Sequence, residues 1–281
     1  MFRILPCLIV ASALASVAFS AEGRTLLVYE ITEPKEPTAR DVEKTVDALH
    51  RRLELGWFSP VKVRAGDNNQ IEVAVHDPKL VEPTKRLVEN SGELEFRIVA
   101  DPKKHAEIIA KAKALPAGKS ELRENDKLLA RWAPVRVSET TTFSRDENLI
   151  TRTVPGRDGM PERLEVLVVQ DEQNVTGNFL TRVRRDIDSN GGPCLQIEMN
   201  QVGGKRMGAL TSANLPDRET NHAYRLAIII NGEVYSAPRL MSAIYSQAQI
   251  TGHFTMLEVD QLVAIFNSGV LPCRLKLISE R

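Results

Sequence analysis

The spacing of apolar and polar residues predicts a compact set of elements in the first hundred residues. Strands are predicted where apolar residues run together or alternate, and helices where they recur every three or four positions. The predicted strands are 25–31, 61–64, 70–75 and 93–99, and the predicted helices are 38–55 and 78–90. This β-α-β-β-α-β order is the ferredoxin-like arrangement, in which two amphipathic helices cover one face of a four-stranded antiparallel sheet.

Residues 115–163 break this regularity, because prolines and glycines lie among many charged residues. We expect an extended connector there, with short strands near 135–137 and 149–154. Beyond it, the pattern predicts strands at 164–169, 186–188 and 194–200, a short helix at 177–183, and a longer helix at 201–214. The alternating residues 274–278 predict a last strand that returns to the first sheet. The region before that strand would then be an insertion.

The clearest local signal is a hairpin around Asn231-Gly232. The β-branched run 226–230 precedes it, and a type I′ turn needs positive φ at both central residues, which Asn and Gly tolerate. Residues 234–237 form the predicted return strand. A helix is predicted between Thr255, a suitable N-cap, and Gly269, a typical helix stop.

The first twenty residues are typical of an export signal. Arg3 supplies a positive start, residues 4–19 are apolar, and Ala18 and Ser20 are small residues at the positions that a signal peptidase reads. The alternative is an uncleaved membrane anchor through residues 4–19, although this run is short for a bilayer. Either way, we expect an exported, periplasmic or extracytoplasmic protein.

Composition excludes some functions. The formal net charge is zero and aromatic residues make up 5% of the chain, which argues against a nucleic-acid partner. Without the signal segment, two cysteines remain, Cys194 and Cys273. In an exported protein, such a pair suggests a disulfide. The alternative is two unrelated buried thiols.

No group of residues has the pattern of a catalytic, metal or cofactor site. His253 could act as a pH-sensitive switch, but a plain turn residue is the simpler interpretation. Asp186 and Asp188 fit a solvated turn better than calcium, which needs more oxygen ligands. The Gly203-Gly204-Lys205 step lacks the spacing of a phosphate loop. We therefore predict a protein that is not an enzyme and has no cofactor or metal.

Three glycine-anchored motifs in the second half carry a family resemblance. They are Asn-Gly-x-Val-x-Ser-Ala-Pro, Gln-Ile-Thr-Gly-x-Phe-Thr and Ser-Gly-x-Leu-Pro, preceded by Asn-Gly-Gly-Pro. Together they resemble the first periplasmic domain of SecD, a Sec accessory factor, and residues 51–56, 59–61 and 92–97 resemble its base. The motif residues are Gly191, Gly192, Pro193, Asn231, Gly232, Ser236, Ala237, Pro238, Gln249, Ile250, Thr251, Gly252, Phe254, Ser268, Gly269, Leu271 and Pro272.

The resemblance implies an α+β fold, with a ferredoxin-like base that carries an inserted, smaller α+β head subdomain. The expected divisions are a signal segment at 1–20, a base at 21–114 and 272–281, a connector at 115–163 and a head at 164–271. The implied function is assistance to protein export by binding unfolded or translocating polypeptide. Sec translocon components or another membrane partner are expected with it.

Two other functions stay open. The chain could be a structural or interaction module that reuses the head fold without binding client polypeptides. It could also be an envelope enzyme or ligand-binding protein with a pocket near Tyr245 and His253. For polypeptide or partner contact, we predict the apolar residues Leu240, Met241, Ile244 and Tyr245, with burial in the protein's own core as the alternative.

Overall fold

A computed structural model describes residues 24–56, 61–116, 118–156, 161–217, 219–220 and 222–281 of the 281-residue chain. The predicted signal segment 1–20 lies outside these residues. So does the Ser59-Pro60 pair of the base motif.

The described residues form fifteen strands and six α-helices, all introduced here in chain order. The strands are β1 (Thr25–Glu33), β2 (Val61–Ala65), β3 (Gln70–Val75), β4 (Leu94–Ile98), β5 (Glu121–Glu124), β6 (Lys127–Pro134), β7 (Thr151–Val154), β8 (Arg163–Val169), β9 (Val175–Thr176), β10 (Leu180–Ile187), β11 (Pro193–Met199), β12 (Leu226–Ile230), β13 (Glu233–Ser236), β14 (Gln247–Ile250) and β15 (Arg274–Glu280). The helices are α1 (Ala39–Leu55), α2 (Val81–Glu89), α3 (Pro102–Lys113), α4 (Thr140–Ser144), α5 (Gln201–Ser212) and α6 (Met256–Ser268).

The base is an antiparallel sheet with the order β15-β1-β3-β2, packed with α1 and α2. Thr38 caps α1 as predicted, and it forms a capping box with Asp41. The predicted return of the last strand is confirmed, because β15 pairs with β1 along its length. The chain therefore leaves the base after α2 and comes back at β15.

The sequence assignment of β4 to the base sheet is wrong. The place expected for it, beside β1, is taken by β15, and β4 instead lies in a second sheet of order β13-β12-β4-β9. Both β4 and β15 alternate apolar and polar residues, so either pattern suits a half-buried edge of the base. The alternation of apolar and polar residues therefore predicts that a strand forms, but it does not predict which strand it pairs with.

The predicted connector is a folded sheet rather than an extended excursion. Strands β5, β6 and β7 join β8 in the order β5-β6-β8-β7. The expected strand near 135–137 is absent there, since Val135 makes a single bridge to Val234 and Val137–Glu139 is a 3-10 turn. The sequence prediction missed this sheet because charged residues alternate with buried ones along its strands, as in Arg131-Trp132.

Strand β12 is buried on both faces. Leu226, Ile228 and Ile230 belong to the main core, whereas Ala227 and Ile229 pack into a second core with residues of β8. A continuous β-branched run is typical of such a strand, because neither face meets water. The hairpin at the end of β12 is therefore anchored in the centre of the molecule.

The head is a three-stranded antiparallel sheet, β10-β11-β14, packed against α5 and α6. The predicted helix at 177–183 is wrong, since Gly177–Phe179 is one 3-10 turn and β10 follows at once. Helix α6 begins at the predicted cap, Thr255, which forms a capping box with Glu258. It also packs against α1, so one helix joins the head to the base.

Candidate polypeptide-binding surface

The residues predicted to contact a partner lie within residues 240–250, called here the edge segment, which consists of an irregular stretch followed by β14. Met241 and Tyr245 have 72% and 60% of their surface exposed, and Ile244 is half-buried. Leu240 is a wrong prediction, because it is 2% exposed and packs in the main core, where it anchors the segment. Met241 and Tyr245 therefore face solvent, and the buried side chain of Leu240 holds the start of the segment in place.

The ring of Tyr245 lies against α5 at a place where a side chain on the helix would displace the ring. A Cβ atom at Gly208 would lie 2.7 Å from two ring carbons of Tyr245, and one at Gly204 would lie 3.3 Å from the Cα of Ser246. The two glycines are one helical turn apart, so they let the edge segment approach the helix backbone. The result is a shallow groove of about 480 Å³ between Tyr245 and the face of α5 that carries Gly204, Gly208 and Ala209.

Strand β14 forms an open edge of the head sheet. It pairs with β11, and no strand lies on its other side among the described residues. The amide of Met199 donates to the carbonyl of Ser246 at 2.8 Å. Because hydrogen-bonded pairs alternate in an antiparallel ladder, the backbone groups of Gln247 and Gln249 face outward. The edge segment thus combines unused backbone donors and acceptors with exposed apolar side chains.

The motif residues are distributed along the head and its links to the base. Gly191, Gly192 and Pro193 lie at the β10–β11 turn; Asn231 and Gly232 form the β12–β13 turn; Ser236, Ala237 and Pro238 end β13; Gln249 and Ile250 lie in β14; Thr251, Gly252 and Phe254 precede α6; Ser268, Gly269, Leu271 and Pro272 link α6 to β15. The turn prediction at Asn231-Gly232 is confirmed, since φ is 49° and 82°. The motifs mark turns and crossings, and the exposed part of the edge segment lies between two of them.

The chain passes from the base to the head after α2 (the outgoing crossing) and returns after α6 (the returning crossing). Both crossings contact one buried side chain, which was not predicted from the sequence. Arg52 of α1 is 0% exposed, and its guanidinium donates to the carbonyls of Leu87 and Asn90 on the outgoing crossing. It also donates to the Ser268 hydroxyl at 3.0 Å and the Gly269 carbonyl at 2.9 Å on the returning one. We call Arg52 with residues 87–93 and 268–271 the joint.

The four acceptors that Arg52 bonds to, one hydroxyl and three backbone carbonyls, are all neutral. Burial lowers the pKa of Arg52 to about 9, which leaves it charged at neutral pH. Gly92 and Gly269 have φ of 83° and 86°, and a Cβ atom at Gly92 would lie 3.0 Å from a guanidinium nitrogen of Arg52. A signal was present in the sequence, because Arg52 falls on the helix face that also carries Leu49 and Leu53.

Asp188 and His253, which the sequence suggested as possible ligand or switch residues, make hydrogen bonds within the protein. Asp188 caps the β10–β11 turn, accepting from the amides of Asn190 and Gly192 at 2.8 Å, as expected of a turn residue. Exposed His253 bonds through Nδ1 to the buried carboxylate of Glu139 at 2.8 Å. In the part of the chain that the structure describes, no group of three or more His, Cys, Asp or Glu residues could hold a metal ion.

Cys194 and Cys273 are two separate buried thiols rather than a disulfide. Cys194 lies in β11 opposite Asp186, whereas Cys273 lies near Thr45 of α1. Burial raises the pKa of both thiols, so neither is activated as a nucleophile.

Comparison with known proteins identifies this architecture. Residues 151–273 match the family model of the SecDF P1 head subdomain. The protein translocase subunit SecD of Aquifex aeolicus is 26% identical over 270 residues, which cover 95% of this chain and 44% of that protein. The chain is related to SecD. The SecD of Rickettsia prowazekii is 31% identical over 116 residues, 41% of this chain and 21% of that protein.

Two solved structures share the fold of the SecD-like chain. A crystal structure of SecDF in a super-membrane-facing form matches 92% of this chain and 30% of its own, with a TM-score of 0.60 and 23% identity. A structure described as a membrane component SecDF that enhances protein export matches with a TM-score of 0.56 and 23% identity. That match covers 91% of this chain and 99% of that one.

The chain spans 42–50% of the length of the SecD proteins that it matches over 91–95% of its own length. Within the described ranges, none of the helices is both long and apolar enough to cross a membrane.

Proposed function

We propose that this chain is a non-enzymatic, exported accessory factor of protein export, which binds unfolded or translocating polypeptide through the edge segment of its head. The observation that carries the proposal is the exposure of Met241 and Tyr245 next to the open edge of β14. Contiguous exposed apolar patches commonly mark interaction sites, and here the two side chains lie beside backbone groups that face outward.

The chemistry of the edge segment suits a client of variable sequence. An extended chain that adds to β14 would bond to the outward backbone groups of Gln247 and Gln249, and every polypeptide has the matching groups. Tyr245 and Met241 can then accept different apolar side chains, since a methionine side chain is flexible and polarizable. Affinity would come from the backbone, with little selection among sequences.

The relatives support the export role, because they are translocase subunits and a matching structure is described as enhancing export. We therefore propose Sec translocon components or another membrane partner as the assembly in which the chain acts. We also propose that its base is ferredoxin-like with β15 as the fourth strand, and that residues 164–271 form an inserted head.

Site-specific photocrosslinking in cells tests the proposal, with benzoylphenylalanine in place of Tyr245. The matched control places the same group at Lys276, an exposed residue of β15 in the base. We expect adducts with many newly exported proteins from position 245 and few from position 276. One discrete adduct would favour an interaction module with a dedicated partner, and no adduct from a folded, exported protein would contradict polypeptide binding.

A further inference from the structure

A second concave surface lies between the base and the head, away from the edge segment. It is a cleft of about 620 Å³ bounded by the end of α2, the β12–β13 hairpin and α6. We call it the cleft; the residues used below are Asn90, Asn231, Tyr235, Gln261, Leu262 and Ile265. Its volume is within the range of sites that bind ligands.

Gln261 gives the cleft an unused hydrogen-bond donor. Its side chain is 6% exposed, and its Nε2 atom is buried with no hydrogen-bond partner among the residues that the structure describes. Buried polar groups are nearly always paired, so a ligand that supplied an acceptor to this amide at the cavity would be stabilised there. Leu262 and Ile265, on the same helix, place apolar surface beside it.

The charges around the cleft do not favour an anion. Arg136 is paired with Glu258, so its charge is already balanced. The other charged lining residues are Arg86, Glu89 and Glu233, which are of both signs. A neutral acceptor, such as an amide carbonyl, therefore fits Gln261 better than a phosphate or carboxylate.

The aromatic residue of the cleft does not favour a sugar. Tyr235 stacks on Phe254, with ring centroids 6.1 Å apart, and the guanidinium of Arg136 lies 4.6 Å from the centre of its ring. These contacts take up ring surface that a saccharide would need for stacking. Carboxamide side chains from Asn90 and Asn231 also line the cleft. Their oxygens accept from the amide of Gly92, and their NH2 groups are donors of the kind that bind peptide carbonyls.

We propose that the cleft binds an extended segment of polypeptide, whose backbone carbonyl accepts from Nε2 of Gln261 while an apolar side chain packs on Leu262 and Ile265. The inference rests on the proposed function, since it gives the client chain a second contact. The occupant would touch α2 of the base and α6 of the head at once. It would lie beside Asn90, whose carbonyl also accepts from Arg52.

The test measures binding of a permanently unfolded polypeptide, fluorescein-labelled α-lactalbumin that has been reduced and carboxymethylated, by fluorescence anisotropy. Gln261→Leu removes the donor and keeps the volume. We expect about fivefold weaker binding, which corresponds to the loss of one neutral hydrogen bond. We also expect an equal or higher melting temperature, because the variant no longer buries an unpaired amide. The matched control is Gln70→Leu at a half-buried residue of β3 outside the cleft, for which we expect unchanged binding.

The outcomes separate this inference from the proposed function. If the wild type binds and Gln261→Leu binds equally well, the cleft proposal is overturned, and weaker binding by Tyr245→Ala would still support the edge segment. If the wild type does not bind the unfolded chain, both proposals fail. If a chitin tetramer binds the wild type and Gln261→Leu abolishes that binding, the cleft is a saccharide site and the peptide assignment is wrong.

Discussion

The joint and the edge segment use hydrogen-bonding groups in opposite ways. At the joint, one buried arginine satisfies acceptors from both chain crossings, and two glycines adopt positive φ to bring them together. In the edge segment, the backbone of Gln247 and Gln249 faces outward, and Met241 and Tyr245 stay exposed. At the joint, the hydrogen bonds of Arg52 stabilise the fold. In the edge segment, the outward backbone groups are available to a partner.

This difference separates two kinds of residue that look alike in the sequence. Motif glycines such as Gly269 and Gly232 are required by local geometry. Gly204 and Gly208, outside the motifs, instead let the edge segment lie close to α5. We therefore expect changes at the joint to lower the free energy of unfolding, and changes around the edge segment to alter binding with little effect on stability.

The largest effect is expected at Arg52. Arg52→Met leaves the carbonyls of Leu87, Asn90 and Gly269 without this donor, and unpaired buried acceptors cost about 1–3 kcal/mol each. Since the variant also avoids burying a cation, we expect a net loss of about 3 kcal/mol in the free energy of unfolding, measured in urea. The control is Arg51→Met at the exposed neighbour, expected within about 0.5 kcal/mol of wild type. Equal stability of the two variants would refute the role given to Arg52.

Gly203→Ala is expected to destabilise by about 1–2 kcal/mol. The new Cβ would lie 2.5 Å from the Cβ of Phe179, and backbone-proximal atoms cannot move aside easily. Overpacking of this kind costs about 1–3 kcal/mol, and the gain in helix propensity offsets up to about 1 kcal/mol. Thermal and urea unfolding measure the change. An alanine variant as stable as wild type would show that Phe179 and α5 are not packed as described.

Strand β4, which follows the joint, carries Glu95 in ion pairs with Arg97 and Arg131, and this predicts a pH dependence. Burial alone would raise the pKa of Glu95, but Arg131 and Arg97 outweigh it and hold the pKa below its usual 4.5. A lowered carboxylate pKa adds stability above pH 4.5 that is lost as the pH falls through the folded value.

We therefore expect Glu95→Gln to be less stable than wild type by about 1 kcal/mol at pH 7, with a difference that shrinks as the pH falls below 4.5. Urea unfolding at pH 7 and at pH 3 measures the difference, with Glu36→Gln at an exposed position as the control. A difference that stays constant down to pH 3 would mean that the charge of Glu95 is not what stabilises this sheet.

The smallest change in stability is expected for Gly208→Ala, which makes the sharpest contrast with Gly203→Ala in the same helix. Its new Cβ would lie 2.7 Å from the ring of Tyr245, an exposed side chain that can swing away. Because alanine also favours the helix, the free energy of unfolding should stay equal or rise by up to about 1 kcal/mol. Binding of unfolded polypeptide should nevertheless weaken, since the groove is disturbed. Unchanged affinity for the unfolded polypeptide would show that the groove between Tyr245 and α5 does not take part in binding.

The sequence was informative where a signal is local. Asn231-Gly232 predicts its turn because the required φ angles are a property of those two residues, and Thr255 predicts the start of α6 because a cap acts within one turn. The apolar pattern of β12 likewise predicts a buried strand.

Pairing between distant strands could not be predicted in the same way. The patterns of β4 and β15 are equally suited to the edge next to β1, and the choice depends on where α6 and the head place the chain. The connector was missed as a sheet because β5 and β7 are short, four residues each, and because buried residues of β6 alternate with charged ones.

The candidate site was predicted in part. Met241 and Tyr245 are exposed as a contact surface requires, but Leu240 is in the core, since apolar character alone does not tell which of two neighbours turns inward. The cleft and the joint depend on contacts between residues far apart in the chain. Gln261 and Arg52 are both polar residues on apolar helix faces, which is the signal that would have pointed to them.

Amide hydrogen exchange of β14, measured by NMR with and without the unfolded polypeptide, tests the central claim most directly. We predict slower exchange at the amides of Gln247 and Gln249 when the polypeptide is present, because an added strand would accept from them. The amides of β2, an edge strand of the base, should not change. If the polypeptide binds while exchange at Gln247 and Gln249 stays the same, the open edge of β14 is not the binding surface.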